Sequence, residues 1–320
     1  MIYILARILA YGLRAYRLAY IFCGHDISSF AGERKLTLCY QYKEGGELIW
    51  FNVLALNIGL LVILPIIIIQ AMWVRKKTLR LPEPSGAREL KSEPLDHKPE
   101  GKQIPFNVLV IGDSAAAGVG VSTQSDALTG KLYQALSQSL GESFAVSVTL
   151  HARTGLASSD IIALLKHEQS LRYQVIVVSI GVNDVTRFIT LTKWRNNLRQ
   201  IHHILLQKFL CEQSQQALII YSAVPPMHAF PAIPQPLRFM LGQRASLLNR
   251  VLASTIGILP YSRLLQLNIV NVKGEATAEL MAEDGFHPSS VGYALWADQI
   301  VTLVRKEQKG VVEGENRRAH

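Results

Sequence analysis

Five short runs of apolar, β-favouring residues alternate along this chain with segments of helical periodicity. The helical segments, such as 128–140 and 191–209, carry apolar residues every three or four positions. Strands that are apolar on consecutive residues are covered on both faces, which is typical of a parallel sheet between two helical layers. The sequence therefore predicts a three-layer α/β/α sandwich with a five-stranded parallel sheet, formed by Phe106–Ile111, Phe144–His151, Val175–Ile180, Leu218–Ala223 and Leu267–Val270.

An unusual loop follows each of the first four predicted strands, and in a parallel sheet these loops open on the edge where α/β proteins carry out chemistry. The block Gly112-Asp113-Ser114 places a serine hydroxyl between a strand and a helix, and Asn183 places an amide after another strand. A further block before the final helix holds Asp284 and His287, three residues apart. Together these blocks contain a nucleophile, an amide donor and a base with an orienting carboxylate.

Each block also has a simpler interpretation when it is taken alone. Ser114 is suited to cap a helix, and Gly155 and the pair Asn183-Asp184 are ordinary turn residues. The loop 112–120 resembles a phosphate cradle, but it lacks the Gly-Lys-Ser/Thr of a P-loop and the third glycine of a dinucleotide fingerprint. No cluster of His, Cys, Asp and Glu has metal-ligand spacing, so we expect neither a metal nor another cofactor.

Taken in order, the blocks resemble those of the SGNH, or GDSL-type, serine hydrolase superfamily. The resemblance covers residues 106–304 and rests on four segments, which are Gly112–Gly118, Gly155, Gly181–Asp184 and Asp284–Pro288. It implies a flavodoxin-like fold and an esterase- or lipase-like hydrolase. One position departs from the family pattern, because Ala115 stands where the family often has leucine. We expect that change to open the pocket and to leave the catalytic groups in place.

The resemblance also assigns roles to individual residues. Ser114 would be the nucleophile, His287 the base that takes its proton, and Asp284 the carboxylate that orients the imidazole. The negative oxygen that develops during acyl transfer would be held by the backbone N–H groups of Ser114 and Gly155 and by the side-chain amide of Asn183.

Two further sets of residues are predicted around these groups. Asp113 and Asp184 are expected to brace the loops without taking part in the reaction. The loop with Met227, His228 and Phe230 is expected to line the site with apolar groups, which suggests an acyl chain in the substrate. The alternative for this loop is plain packing against the domain.

Residues 48–74 contain no charged side chain. As a helix this stretch would be ~40 Å long, more than the ~30 Å hydrocarbon core of a bilayer requires. Trp50 and Trp73 lie near its ends, and Arg75-Lys76-Lys77 follows at once. The sequence predicts a transmembrane helix here, with a buried core helix as the alternative. A cleaved signal peptide is disfavoured because the run is too long and too far from Met1.

Three other segments flank the predicted span and the hydrolase domain. Residues 1–47, with arginines at 7, 14 and 17, predict an amphipathic juxtamembrane segment. Residues 75–105 are rich in proline and predict a tether that leaves the domain to fold independently. The charged residues 305–320 predict a disordered tail.

The formal net charge of +9 is spread along the chain and forms no basic patch interleaved with aromatic residues, so nucleic acid is not an expected partner. Basic residues are concentrated after the predicted span, and the positive-inside rule therefore places the hydrolase on the cytoplasmic face of a membrane. Resemblance to secreted members of the superfamily favours the opposite face.

The sequence as a whole predicts a single-pass, membrane-tethered serine hydrolase that cleaves a small or lipid-like carboxylic ester through an acyl-enzyme on Ser114. Two alternatives use the same fold, namely an acyltransferase and a deacetylase of carbohydrate or peptidoglycan, because fold does not determine substrate. A third alternative is an inactive module that binds lipid in the same pocket.

Overall fold

The computed structural model describes residues 63–77, 81–92, 103–212, 214, 217–267 and 278–318. The chain divides into two units, residues 1–64 and 65–320, and the second contains nearly all of the described residues. The predicted juxtamembrane segment 1–47 and residues 48–62 of the predicted span lie outside them. No helix within the described ranges is both long and apolar enough to cross a membrane.

A six-stranded, mostly parallel sheet forms the centre of the second unit. Its strands are β1 Glu89–Lys91, β2 Ile104–Gly112, β3 Phe144–Ala152, β4 Val175–Ser179, β5 Leu218–Ser222 and β6 Ser262–Leu265. The spatial order is β1-β3-β2-β4-β5-β6, and only β1 runs antiparallel to its neighbour. Without β1, the order of the parallel strands is that of a flavodoxin-like sheet. The predicted α/β sheet is confirmed, with six strands in place of five.

Helices cover both faces of this sheet because the strands alternate between two cores. The helices are α1 Ser114–Ala117, α2 Leu128–Leu140, α3 Ser158–His167, α4 Val182–Thr186, α5 Leu191–Lys208, α6 Leu237–Ile256 and α7 Ser290–Arg318, with 3₁₀ turns at Met227–Ala229 and Ala278–Leu280. In β2, Leu109 and Ile111 point into one core with α3, α5 and α6, whereas Val108 and Val110 point into a second core with α2 and α7.

The last parallel strand lies at Ser262–Leu265, so its predicted position at 267–270 is wrong. Leu267 follows the strand, and residues 268–270 lie outside the described ranges. β6 lies at the end of the sheet, and its strand partner within the described residues is β5. It contains Ser262 and the exposed Arg263, so it does not appear as a continuous apolar run. A search for continuous apolar runs finds central strands and misses such an edge strand.

The two segments that flank the predicted domain are more ordered than their composition indicates. Residues 89–91 of the predicted tether form β1, which pairs with residues 147–149 of β3. Residues 305–318 of the predicted disordered tail continue α7. Tertiary contacts explain this extension, because Glu307 forms a two-pronged ion pair with Arg263 and Arg305 donates a hydrogen bond to the Ser139 carbonyl. Residues 89–91 and 305–318 therefore have regular secondary structure, while the tether at 75–105 and the tail at 305–320 stay predictions of the sequence.

Residues 63–77, which include the end of the predicted span, are helical. Ile67 and Val74 pack against the first core, and the Gln70 side chain bonds to residues 235 and 237 at the start of α6. Ile69 and Met72 are exposed at 61% and 60%. This helix therefore has one face against the domain and one free apolar face.

Candidate active site

Close packing fixes the position of the loop that carries Ser114. β2 ends at Gly112, where a Cβ atom would lie 2.2 Å from the Ser179 carbonyl oxygen of the neighbouring strand. The Asp113 carboxylate caps α1 by accepting a hydrogen bond of 3.2 Å from the Ala115 N–H. Ser114 is the first residue of α1, and Gly118 ends this helix in the left-handed conformation. Strand, cap and short helix therefore present the hydroxyl at the carboxyl edge of the sheet.

Asp284 and His287 come from a turn before α7, and they meet Ser114 across 173 positions of sequence. The Asp284 Oδ1 atom accepts hydrogen bonds from the N–H groups of Phe286 and His287, at 2.9 and 3.0 Å. Its Oδ2 atom lies 2.6 Å from His287 Nδ1, and His287 Nε2 lies 2.9 Å from Ser114 Oγ. The structure thus brings the three predicted catalytic side chains into one hydrogen-bonded chain.

The electrostatics of this chain favour a charged Asp284. Burial acts to raise the pKa of this carboxyl, but hydrogen bonds from the His287 side chain and from the two backbone N–H groups outweigh burial, so its pKa lies below the ordinary value. An ionised Asp284 accepts the Nδ1 proton of His287, which leaves the Nε2 lone pair facing the Ser114 hydroxyl. This arrangement is the one that a general base requires.

The predicted oxyanion donors lie in the loops that follow three adjacent strands. Ser114 follows β2, Gly155 follows β3 and Asn183 follows β4, and these strands end in register because Gly112 pairs with both Ala152 and Ser179. In the described part of the chain, the backbone N–H groups of Ser114 and Gly155 donate no hydrogen bond. The Asn183 amide donates one hydrogen bond, of 3.0 Å, to the Leu156 carbonyl. Unused donors are therefore collected at one edge of the sheet.

Asp113 and Asp184 lie behind these loops, in bracing contacts. The Asp184 carboxylate accepts hydrogen bonds from Ser158 N at 2.9 Å and from Ser158 Oγ at 2.6 Å, which fastens the start of α3. Burial raises the pKa of Asp184, and burial also raises that of Asp113, to about 7. The second carboxyl oxygen of Asp113 is buried without a hydrogen-bond partner, and a protonated carboxyl tolerates such a position better than a charged one.

An apolar pocket adjoins Ser114 and His287, and only one of the three predicted lining residues contributes to it. Phe230 lines the pocket, whereas Met227 is fully buried in the first core and His228 is exposed beside Gly242. Met227 and His228 therefore do not line this pocket, although the 3₁₀ turn that carries them directly precedes Phe230. The other large apolar lining residues come from separate elements, and they are Ile180, Pro225, Leu267, Leu280, Met281, Phe286 and Trp296.

Among the residues that the structure describes, no group of three or more His, Cys, Asp or Glu side chains is arranged to hold a metal ion. The site consists of a serine, an imidazole, a carboxylate and neutral N–H donors.

Comparison with known proteins gives this arrangement a family. Residues 110–295 match the GDSL-like lipase/acylhydrolase family, which is more than half of the chain. The chain belongs to this family. All predicted catalytic and oxyanion residues of this GDSL-like hydrolase lie within the match, whereas residues 83–92 lie outside it.

Individual relatives are distant. A GDSL-like esterase of Mycobacterium tuberculosis is 24% identical over 209 residues, which are 64% of this chain and 64% of the esterase. A lipase from a goat rumen metagenome is 20% identical, with a TM-score of 0.47 over 62% of this chain and 96% of the lipase. The psychrotrophic esterase EstA from Pseudoalteromonas is 16% identical, with a TM-score of 0.46 over 62% and 97%.

Proposed function

We propose that this GDSL-like hydrolase cleaves carboxylic esters through an acyl-enzyme on Ser114. The observation that carries the proposal is the unbroken hydrogen-bond chain from Asp284 through His287 to Ser114 Oγ. A serine hydroxyl is a weak nucleophile unless a base lies within hydrogen-bond reach, and the base must itself be oriented. The name of the mycobacterial relative, an esterase, supports the same reaction class.

The proposed reaction has two halves. Ser114 Oγ attacks the ester carbonyl while its proton moves to His287 Nε2, and the charged Asp284 stabilises the imidazolium that forms. The oxygen that becomes negative is held by Ser114 N–H, Gly155 N–H and the Asn183 amide. The imidazolium then gives its proton to the departing alcohol, which leaves an acyl-enzyme. Water, activated by His287, releases the acid and restores the serine.

The pocket next to Ser114 supports an ester with an apolar acyl chain. Its walls include the side chains of Ile180, Phe230 and Trp296, and charged groups at its surface are confined to the neighbourhood of the catalytic residues. A wall of this kind gains free energy from burying methylene groups, at ~0.8 kcal/mol for each. An acetyl group would leave most of the wall unused. We therefore favour an ester with a longer, apolar acyl chain over the acetylated carbohydrate that a deacetylase would cleave.

A serine-directed fluorophosphonate label tests the reaction class. We expect the full chain to be labelled and Ser114→Ala to remain unlabelled, because only an activated serine reacts. Labelling of both proteins, or of neither, would refute the acyl-enzyme. Rates across ester chain lengths, measured with and without an acceptor alcohol, then separate an acyl-chain hydrolase from a deacetylase and from an acyltransferase.

We further propose that the uncharged stretch 48–74 tethers the hydrolase to a membrane and that the domain faces the cytoplasm. Ile67 and Val74 of this stretch lie against the domain, so in its described part the exposed face with Ile69 and Met72 would contact lipid. The absence of charge in this stretch and the basic residues Arg75, Lys76, Lys77 and Arg80 after it support this placement. A cysteine at Leu171, which is 52% exposed, is offered a membrane-impermeant thiol reagent in a chain whose native cysteines are serine. Protection in intact cells and labelling after lysis are expected. Labelling in intact cells would show that the domain faces outward and would refute the cytoplasmic placement.

A further inference from the structure

Residues 83–92, which we call the strap, precede the family-matched region but contact two loops at the active-site edge of the sheet. At its end, β1 pairs with β3. In its middle, Ser85 N–H donates to the Ser122 carbonyl at 3.1 Å, and the Ser85 carbonyl accepts from Gln124 N–H at 2.8 Å. At its start, Glu83 bonds to the loop that contains Gly155. The strap is therefore fastened along its whole length.

Glu83 makes the contact of the strap that lies nearest to the proposed oxyanion donors. Its Oε1 atom accepts hydrogen bonds from Thr154 N at 2.7 Å and from Thr154 Oγ1 at 2.8 Å. Its Oε2 atom pairs with Arg88 at 3.1 Å, and Arg88 also donates to the Ala152 carbonyl at the end of β3. The strap therefore bonds to this loop at Thr154, the residue directly before Gly155.

Gly155 itself is also held, through its carbonyl group. Arg187, at the end of α4, donates to the Gly155 carbonyl at 2.7 Å, and its other guanidinium nitrogen pairs with Asp160 at 2.8 Å. The N–H of residue 154 and the C=O of residue 155 are therefore both held by charged side chains. The Gly155 N–H belongs to the peptide group between these two anchors.

Packing does not fix this peptide. A Cβ atom placed on Gly155 would meet no heavy atom within 4 Å, and the residue has a φ of +84°. The side chains of Glu83 and Arg88 are 30% and 42% exposed, so their ion pair contributes little to the free energy of unfolding. Their hydrogen bonds instead hold the backbone directly before Gly155, at Thr154 and Ala152.

We propose that Glu83 is a positioning residue that aims the Gly155 N–H at the developing oxyanion. This inference rests on the proposed function, because it takes Gly155 as an oxyanion donor. It adds a requirement that lies outside the family-matched residues, since the strap must be in place for full activity. Displacement of a reacting or stabilising group by about 1 Å costs up to ~10²-fold in rate. Loss of one of two anchors should cost less than that.

The test compares Glu83→Ala, Glu83→Gln and Glu89→Ala in the full chain with a chromogenic short-chain ester. We expect Glu83→Ala to lower kcat about 10-fold with KM nearly unchanged, because the oxyanion exists only in the transition state. Glu83→Gln keeps an oxygen acceptor for Thr154 and should recover most of the rate. Glu89→Ala changes another carboxylate of the strap, whose salt bridge among the described residues is with Lys91, and should leave kcat unchanged within twofold.

Three results would overturn the positioning role. They are a kcat of Glu83→Ala within twofold of the parent, a loss that appears in KM alone, and a glutamine variant no faster than the alanine variant. The melting temperature of each variant is measured alongside, and a loss of rate that only follows unfolding also counts against the proposal. If Glu83→Ala does not fold, Glu83→Asp is used instead, because its shorter side chain draws the carboxylate away from Thr154, and an unchanged kcat there refutes the role.

Ser114→Ala is assayed in the same series so that the two proposals fail separately. Full turnover in Ser114→Ala would refute the proposed function and the positioning role together. Loss of turnover in Ser114→Ala with normal turnover in Glu83→Ala would refute the positioning role alone.

Discussion

The loop that carries Ser114 and the loop that carries Gly155 end neighbouring strands but are held by different forces. In the Ser114 loop, a Cβ atom on Gly112 would lie 2.2 Å from a carbonyl oxygen, and one on Gly120 would lie 2.3 Å from another. The same atom on Gly155 would meet nothing within 4 Å. The first loop is fixed by close packing, whereas the second is fixed by the hydrogen bond that Glu83 accepts from Thr154 and the one that Arg187 donates to Gly155.

This difference shows which parts of the site depend on which parts of the chain. A packed loop is positioned by residues of its own core, because interiors are dense and resist displacement. A hydrogen-bonded surface loop is positioned by whichever polar groups reach it, and here one of them comes from outside the family-matched residues. The proposed nucleophile therefore lies in a loop fixed by the core of the domain, while the loop of one proposed oxyanion donor is bonded to the segment that precedes the matched residues.

The largest effect is expected for the reacting groups themselves. Ser114→Ala and His287→Ala should each lower kcat by about 10⁴-fold or more while the protein remains folded, as in other triads. Asp284→Ala should cost less, because orientation is only part of what the base requires. Steady-state kinetics with a soluble ester and circular dichroism measure both quantities. Near-normal turnover in Ser114→Ala would contradict the mechanism.

A smaller loss is expected for the amide donor on the third loop. Asn183→Ala should reduce kcat about 10²- to 10³-fold with little change in KM, because the bonded oxygen is negative only in the transition state. Thr186→Val is the matched control, since this hydroxyl on α4 bonds only to the Asn183 carbonyl. A higher KM with unchanged kcat would make Asn183 a substrate-binding residue instead.

Two glycine substitutions compare the packed loop with the hydrogen-bonded loop directly. Gly112→Ala should lower the free energy of unfolding by about 3 kcal/mol, because its Cβ collides with backbone of β4. Gly155→Ala meets no neighbour and should lose only about 1 kcal/mol, from the positive φ. Urea denaturation of both variants measures the difference. Equal losses of unfolding free energy would show that the Ser114 loop is not more tightly packed than the Gly155 loop.

The final prediction concerns the pH dependence of stability. Burial raises the pKa of Asp113 to about 7, above its ordinary value of 3.8. Between these two values the unfolded chain has lost a proton that the folded protein retains, so this group lowers the free energy of unfolding as pH rises from about 4 to about 7. Above that range its contribution is constant.

Asp113→Asn should remove this decline, which amounts to at most a few kcal/mol because one pKa unit corresponds to about 1.4 kcal/mol. Denaturation of both proteins at pH 4.5 and pH 8 provides the test. The variant should gain stability relative to the parent at the higher pH. Parallel pH profiles would show that Asp113 titrates normally in the folded protein.

The central strands and the order of the catalytic blocks could be predicted from the sequence. β2, β4 and β5 are covered on both faces and therefore appear as continuous apolar runs. The glycines beside Ser114 mark sites of close approach, and the three-residue spacing of Asp284 and His287 permits one turn to present both groups. These features are local, so they can be recognised without knowledge of the fold.

The features that were missed depend on contacts between distant residues. The edge strands β1 and β6 are short and partly polar, and only pairing with β3 and β5 makes them strands. The end of α7 has the composition of a disordered tail, but Glu307 bonds to Arg263 of β6. The pocket wall joins residues from separate elements, so no periodicity along the chain identifies it.

The sequence by itself determined the parallel core and the chemical groups at its edge, because apolar runs and short motifs act over a few residues. Only the tertiary structure decided how those groups are aimed. The contact between Ser114 and His287 spans 173 positions, and that between Glu83 and Thr154 spans 71. Hydrogen bonds of this kind require distances near 3 Å and defined angles. These are set by the assembly of the whole sheet with its loops and not by local composition.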